Sequence, residues 1–249
     1  MNWEQAIAKV SERVVRIETP TGMGTGFLAF YNSDSTWCAI ATAAHVVKHA
    51  DDWQQPIKIR GKFGVTLLEE AARVIFVDTA RDSAIVLFFK GDFQLPQEPI
   101  AMRPMDSPCG IGATIGWLGY PAIAPDTLCF FSGRISARHA SNRAYFVDGV
   151  AINGVSGGPV FHVATGGKHV EAIGAISSYM PNLTTGHSLP GLLVATDVSQ
   201  FHETYEKIKN LDEARAAKET IESTLAATAG TAPTAVSSGP IGGGPIGGG

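Results

Sequence analysis

An all-β chain folded as two closed barrels is what this sequence predicts, and three observations carry the prediction. Between about Ser11 and Val198, short runs of β-branched and aromatic residues recur, each ended by Gly, Pro, Asn or Asp. The long helical periodicities that a parallel sheet requires are missing between them. The 249 residues are 45% apolar, enough to bury a core that one small barrel could not fill.

Taken in order, the spacing predicts a short helix over Glu4 to Val10. Strands follow at Val14 to Glu18, Gly26 to Tyr31, Trp37 to Thr42, Ala72 to Val77 and Ala84 to Phe89 in a first half, about 11–105. A second half, about 106–200, carries strands at Thr114 to Leu118, Leu128 to Ser132, Ala144 to Val147, Pro159 to Val163, Ala172 to Ser177 and Leu192 to Thr196. Charges then crowd the stretch from Glu203 to Glu222, interleaved with Tyr205, Ile208, Leu211, Ala214, Ile221 and Leu225 at helical spacings. This predicts a domain over 1–205 followed by a C-terminal amphipathic helix over 206–228, a surface that packs on its own domain or takes a regulatory protein partner. The remaining stretch, 229–249, is rich in Gly and Pro, cannot build a core and reads as a flexible tether.

Composition excludes several function classes. A net charge of −4 argues against a nucleic-acid or anionic-membrane surface, so neither nucleic acid nor membrane is expected as a partner. Apolar runs such as Ser83 to Phe89 are far shorter than the roughly 20 residues that span a bilayer. The N-terminus shows no basic region followed by an apolar one, so no secretory signal is expected. Cys38, Cys109 and Cys129 cannot all pair within one chain and form no C-x-x-C unit; a reducing compartment, most simply the cytoplasm, is the expectation. The histidines His49, His139, His162, His169, His187 and His202 show no metal-ligand spacing, and no phosphate-loop motif occurs, so no cofactor and no metal is expected.

The chemistry-bearing motif is Asn153-Gly154-Val155-Ser156-Gly157-Gly158-Pro159. A serine flanked by glycines can expose its Oγ in a tight turn, and small neighbours let backbone N–H groups approach a substrate carbonyl. Alone, such a turn is equally a hairpin loop. Upstream, however, His45 follows the apolar run Ala39 to Ala44, and Asp82 stands at the mouth of the apolar strand Ser83 to Leu87, where a half-buried anion needs a partner such as an imidazole N–H. A lone histidine there is more often structural, and a lone aspartate more often caps a turn. Together the three residues supply what acyl transfer requires: a serine, a base to activate it, and a carboxylate to fix the tautomer of the base.

The segment Gly154 to Gly158 also fits G-x-S-x-G, the nucleophile turn of α/β-hydrolases, which predicts a helix after the serine and the chain order Ser, acid, His. Here Pro159 to Val163 reads as a strand and the order is His, Asp, Ser, which excludes that alternative.

At these motifs the sequence resembles the trypsin-like serine peptidases, and their HtrA-like branch more than the secreted digestive enzymes. The resemblance spans roughly Glu12 to Phe201. It rests on Thr42-Ala43-Ala44-His45, on Asp82-Ser83-Ala84-Ile85-Val86-Leu87, on Gly119-Tyr120-Pro121 and on Ala151 to Pro159. It implies two six-stranded antiparallel barrels of the chymotrypsin type with the active site between them, His45, Asp82 and Ser156 as catalytic residues, and the N–H groups of Gly154 and Ser156 as the oxyanion hole. It implies a serine endopeptidase acting on protein or peptide substrates. The segment Gly174 to Tyr179, with Ser177, Ser178 and Tyr179, is similar to the strand that pairs with substrate backbone, and the segment Pro190 to Val194, with Gly191 and Leu193, to the opposite wall of the specificity pocket.

Departures from the family pattern carry information. Val155 stands where digestive trypsins have the aspartate that pairs with a newly cut N-terminus, so activation by N-terminal cleavage is not expected. Val46 replaces the cysteine that follows the histidine in secreted members, Asn153 replaces the proline of many HtrA proteins, and no PDZ-like segment is seen after Phe201. Val150 falls where trypsin has its pocket acid, while Asp148 lies further upstream, which predicts a small or medium apolar P1 side chain. The alternatives are a latent or silent peptidase fold serving as a partner-dependent binding module, and an adaptor acting through the C-terminal helix.

Overall fold

A computed structural model describes residues 2–150, 152–164, 169–182 and 189–229. The chain begins with α1 (Trp3–Ser11), whose first turn is held by reciprocal bonds between Asn2 and Gln5, a capping box that satisfies two otherwise orphaned amides. The first sheet contains β1 (Val14–Thr19), β2 (Gly22–Tyr31), β3 (Trp37–Thr42), β4 (Ile57–Gly61), β5 (Gly64–Leu68), β6 (Arg73–Asp78) and β7 (Ser83–Phe89), with α2 (Ala44–Asp52) between β3 and β4. The second contains β8 (Thr114–Gly119), β9 (Cys129–His139), β10 (Ala144–Asp148), β11 (Pro159–Val163), β12 (Val170–Asn182) and β13 (Leu189–Asp197), followed by α3 (Ser199–Ala229).

The second sheet is the expected closed six-stranded barrel, in the order β10-β13-β12-β11-β8-β9. The first differs from expectation: it has seven strands in the order β5-β4-β1-β2-β3-β7-β6 and stays open between β5 and β6. Those edge strands are joined through a 3-10 turn over 70–72, and Arg73 ties the connection to its surroundings. Its buried guanidinium donates to the carbonyls of Leu68 at 2.7 Å, Gln55 at 2.8 Å and Ala50 at 3.4 Å. Hydrogen bonding of this kind makes burial of the charge tolerable, although burial still pulls its pKa down.

Strand composition follows from which faces are buried. Along β2, Leu28 belongs to the interior of the first barrel while Phe27 and Ala29 point to a second cluster shared with the other barrel. The same alternation splits β3 into Cys38 and Ile40 inside, Ala39 and Ala41 outside. Strands buried on both faces read as continuous apolar runs. The shared cluster also takes Leu118 and Phe161 from the second barrel, Ala6 and Val10 from α1, and Phe201 and Ile208 from α3. Phe27 meets Phe201 edge-on at 5.8 Å, and Phe30 meets Tyr205 at 5.1 Å. Burial of several such rings, each worth roughly 2 kcal/mol or more, seals the seam between the barrels.

The C-terminal helix begins at Ser199 rather than 206, because Val198, Phe201 and Ile208 bury against that seam. Residues up to Lys209 form one compact unit with both barrels, and a second unit starts at Asn210. Along its helical part Arg215 pairs with Glu219 and Lys218 with Glu222, while Leu211 and Ile221 are exposed. The Gly/Pro-rich tail lies outside the described residues apart from Ala229.

Candidate active site

His45 is the second residue of α2, delivered by β3 through the small residues Ala43 and Ala44, both buried. Its backbone N–H donates to Asp82 Oδ1 at 3.0 Å, and its ring Nδ1 lies 3.0 Å from Oδ1 and 2.9 Å from Oδ2 of the same carboxylate. A carboxylate only accepts, so the proton resides on Nδ1 and the acceptor lone pair of the neutral ring is left on Nε2. The bond to Asp82 raises the His45 pKa above the ordinary imidazole value, against the opposing effect of burial.

Asp82 precedes β7 and adopts a left-handed conformation, φ 49°. That strained geometry turns its side chain toward α2. Its carboxylate takes a further bond from Ser177 Oγ at 2.6 Å. Burial pushes the Asp82 pKa up, but the bonds from the His45 ring, the Ser177 hydroxyl and the His45 amide together hold it below the usual aspartate value. The carboxylate is therefore charged at neutral pH.

Ser177 came from the sequence as a substrate-pairing residue; here its hydroxyl is buried on Asp82. The physical reason is a bulge. Ile176 pairs with Ala195 and Ser178 with Val194, so Ser177 is the extra residue of β12 and its side chain is re-aimed into the first barrel's carboxylate. Sequence alone contains no signal for that bulge.

Ser156 occupies the turn before β11. Gly154 has φ +91°, and a side chain there would lie 2.5 Å from Tyr120 O and 2.8 Å from Ala122 N, so only glycine fits. Val155 points the other way, into the interior of the second barrel, with 1% exposure. Asn153 O accepts from Ala122 N–H at 2.6 Å, and Val155 O accepts from Gly158 N–H at 2.9 Å. Because a trans peptide points its N–H opposite its carbonyl, these two bonds fix the N–H groups of Gly154 and Ser156. Neither amide donates to any acceptor among the described residues, although Gly154 is buried. Buried backbone donors are rarely left unpaired, and two neighbouring ones form a site for an anionic oxygen.

The barrels meet tightly at this turn. Ser156 O accepts from Thr25 N–H on β2 at 2.8 Å, and a side chain on Gly157 would come within 2.8 Å of Ala43 N, two residues before His45. The serine and the imidazole are thus brought to one seam. Ser156 Oγ makes no hydrogen bond among the described residues, and such contacts are commonly long until substrate binds.

The remaining pocket residues are placed as follows. Val150 is 58% exposed beyond the end of β10, and Ser178 is exposed and Tyr179 half-buried on β12. Gly191 lies within β13. Leu193 is 0% exposed and belongs to the interior cluster of the second barrel, paired across strands with Val147 and Tyr179, so it does not line an open wall. Among the described residues no cluster of His, Cys, Asp and Glu is arranged to hold a metal ion.

A family model described as a trypsin-like peptidase domain matches residues 24–169, more than half of the chain and inclusive of His45, Asp82 and Ser156. No curated protein sequence matches the chain significantly. Among solved structures, a serine endoprotease from Yersinia pestis superposes with a TM-score of 0.61 at 21% identity, covering 84% of this chain and 67% of that one. The Rv3671c protease in its inactive form superposes with a TM-score of 0.57 at 20% identity, covering 82% and 92%. A serine-to-alanine mutant of Rv3671c from M. tuberculosis, also in an inactive form, gives 0.56 at 19% identity, covering 82% and 89%. At these identities the structural likeness is one of fold, and the family match carries the assignment: the chain belongs to the trypsin-like peptidase domain family.

Proposed function

We propose that the protein is a serine endopeptidase in which Ser156, His45 and Asp82 form the catalytic triad. The observation that carries the reading is the His45–Asp82 pair, which puts the ring proton on Nδ1 and the lone pair on Nε2, beside a turn whose Gly154 and Ser156 amides donate to no acceptor among the described residues. His45 Nε2 takes the Ser156 hydroxyl proton as Oγ attacks a peptide carbonyl, forming a tetrahedral intermediate. The imidazolium, stabilised by Asp82, returns that proton to the amine as the C–N bond breaks and the acyl-enzyme forms. Water, deprotonated by the same ring, releases the acid. Each of the two amides facing the oxyanion contributes roughly 3 to 4 kcal/mol to the transition state.

Preference for a small or medium apolar P1 side chain is part of the proposal. It is supported by Val150, exposed where a basic-P1 enzyme carries an acid, and by the similarity of the Gly191 strand to a pocket wall. Clear preference for Arg or Lys in a peptide library overturns it.

The test of the activity is labelling by a fluorophosphonate probe, which requires an activated serine. Wild type is expected to label and Ser156→Ala not to; labelling that survives the substitution refutes the assignment. A latent, partner-dependent form is the second reading, favoured by the absence of a bond from Ser156 Oγ to His45. It predicts that the isolated protein labels poorly and that the rate rises with a partner.

A further inference from the structure

We infer that Thr25, a residue of the first barrel, is a positioning residue for the oxyanion turn of the second; this rests on the reaction proposed above. Thr25 lies on β2 with 0% exposure. In the β1–β2 register it stands opposite Arg16, and pairing of β2 with β3 starts only at Phe27 and Ala41. The edge of Thr25 that would bond to β3 is therefore open, and the turn around Ser156 fills it.

Every polar group of Thr25 is engaged with an element of the site. Its N–H donates to Ser156 O at 2.8 Å. Its hydroxyl donates to Gly154 O at 2.8 Å and accepts from Tyr120 N–H at 2.9 Å. Its carbonyl accepts from Thr42 Oγ1 at 2.7 Å, three residues before His45.

The four successive carbonyls of 153–156 are consequently all held, in alternation. Those of Asn153 and Val155 bond within the second barrel, to Ala122 and Gly158; those of Gly154 and Ser156 bond to Thr25. The Gly154 and Ser156 carbonyls share their peptide planes with the Val155 and Gly157 amides, so Thr25 fixes the planes that flank the two oxyanion donors, and a slip of the Gly154 carbonyl rotates the turn that aims them. Tyr120 is two residues before Ala122, so the same hydroxyl also steadies the loop that anchors Asn153. A group that donates and accepts at once is needed, which a hydroxyl provides and an isosteric Val does not. Replacing it by Val leaves the half-buried Tyr120 N–H and the buried Gly154 C=O unpaired.

The experiment compares wild type, Thr25→Val and Thr25→Ser by two readouts: the fluorophosphonate labelling rate with kcat and KM on a peptide substrate, and hydrogen exchange of the amides over 153–158. Thr25→Val is expected to lower the labelling rate and kcat by about 10- to 100-fold with KM within about twofold, less than deletion of an oxyanion donor. The same variant speeds exchange in the turn about tenfold by freeing its local opening. Thr25→Ser, which keeps the hydroxyl, restores both. Should Thr25→Val fail to fold, Thr25→Ala carries the comparison.

A folded Thr25→Val that labels at the wild-type rate, or that leaves exchange over 153–158 unchanged, overturns the inference. A merely structural residue would lower the melting temperature and leave kcat in place. Wild-type protein that never labels defeats the peptidase reading alone, and the exchange measurement still decides the role of Thr25.

Discussion

Gly157→Ala tests how closely the halves of the site must approach. Gly157 has φ +83°, a region that costs an alanine roughly 1 to 2 kcal/mol. The added methyl would also overlap Thr25 O and Thr42 Oγ1 and sit 2.8 Å from Ala43 N, whereas real Cβ contacts stay beyond 3.0 Å. Two of those neighbours are backbone atoms and the third belongs to a fully buried threonine, so relief comes only by moving the turn, by roughly 1 Å. Such a shift stretches the 2.8 Å bond from Thr25 N–H to Ser156 O and the 2.6 Å bond from Gly157 N–H to Ile176 O. With one buried bond lost at about 1 to 3 kcal/mol, the total is roughly 2 to 5 kcal/mol. Calorimetry should show a melting temperature lower by about 5 °C or more. Displacing Ser156 relative to His45 by this distance should slow fluorophosphonate labelling by about 100-fold. A variant with wild-type melting and wild-type labelling refutes the claim that the barrels touch there.

Other expectations concern charge and packing. The proposed mechanism uses a neutral His45 as base and its pKa is raised, so kcat/KM should fall on the acid side with an apparent pKa above the ordinary histidine value; a limb below that value contradicts the pairing with Asp82. For stability the sign is opposite: the contribution of the His45–Asp82 pair through the imidazole is complete below the unfolded histidine pKa and is lost as pH rises through the folded one. Ser177→Ala removes a donor from the Asp82 carboxylate, leaving more of its charge for the imidazolium; the acid limb should move upward and kcat fall by about tenfold as the carboxylate loses its fixed orientation, both read from a pH–rate profile. Leu193→Ala should cost roughly 3 kcal/mol in denaturant unfolding and leave P1 preference unchanged, because the side chain fills the barrel; altered preference with intact stability would return it to a pocket wall.

The sequence revealed the parts of the fold whose burial is symmetrical. The runs of β2, β3 and β7 are apolar because both faces are covered, and they are visible for that reason. β4 and β5 escaped notice because only one face is buried: Ile57 and Ile59 point inward while Lys58 and Arg60 meet solvent, and five-residue alternations carry little signal. α2 escaped because Ala43 at its start offers no capping side chain. His45, Asp82 and Ser156 could be singled out because each sits on a chemically unusual local background. Ser177 and Thr25 could not be assigned their contacts, since one depends on a bulge and the other on a bond between barrels. Leu193 was misread because strand register, which decides the face, is set by partners distant in the chain.

Val155 adjoins Ser156, the proposed nucleophile, and is immersed in the second barrel. Where an ion pair would let the loop lock and unlock by chemistry at a chain end, an aliphatic anchor gives it no such handle. Loosening the loop means pulling an isopropyl group out of close-packed surroundings, which couples catalytic competence to the integrity of the whole half-molecule.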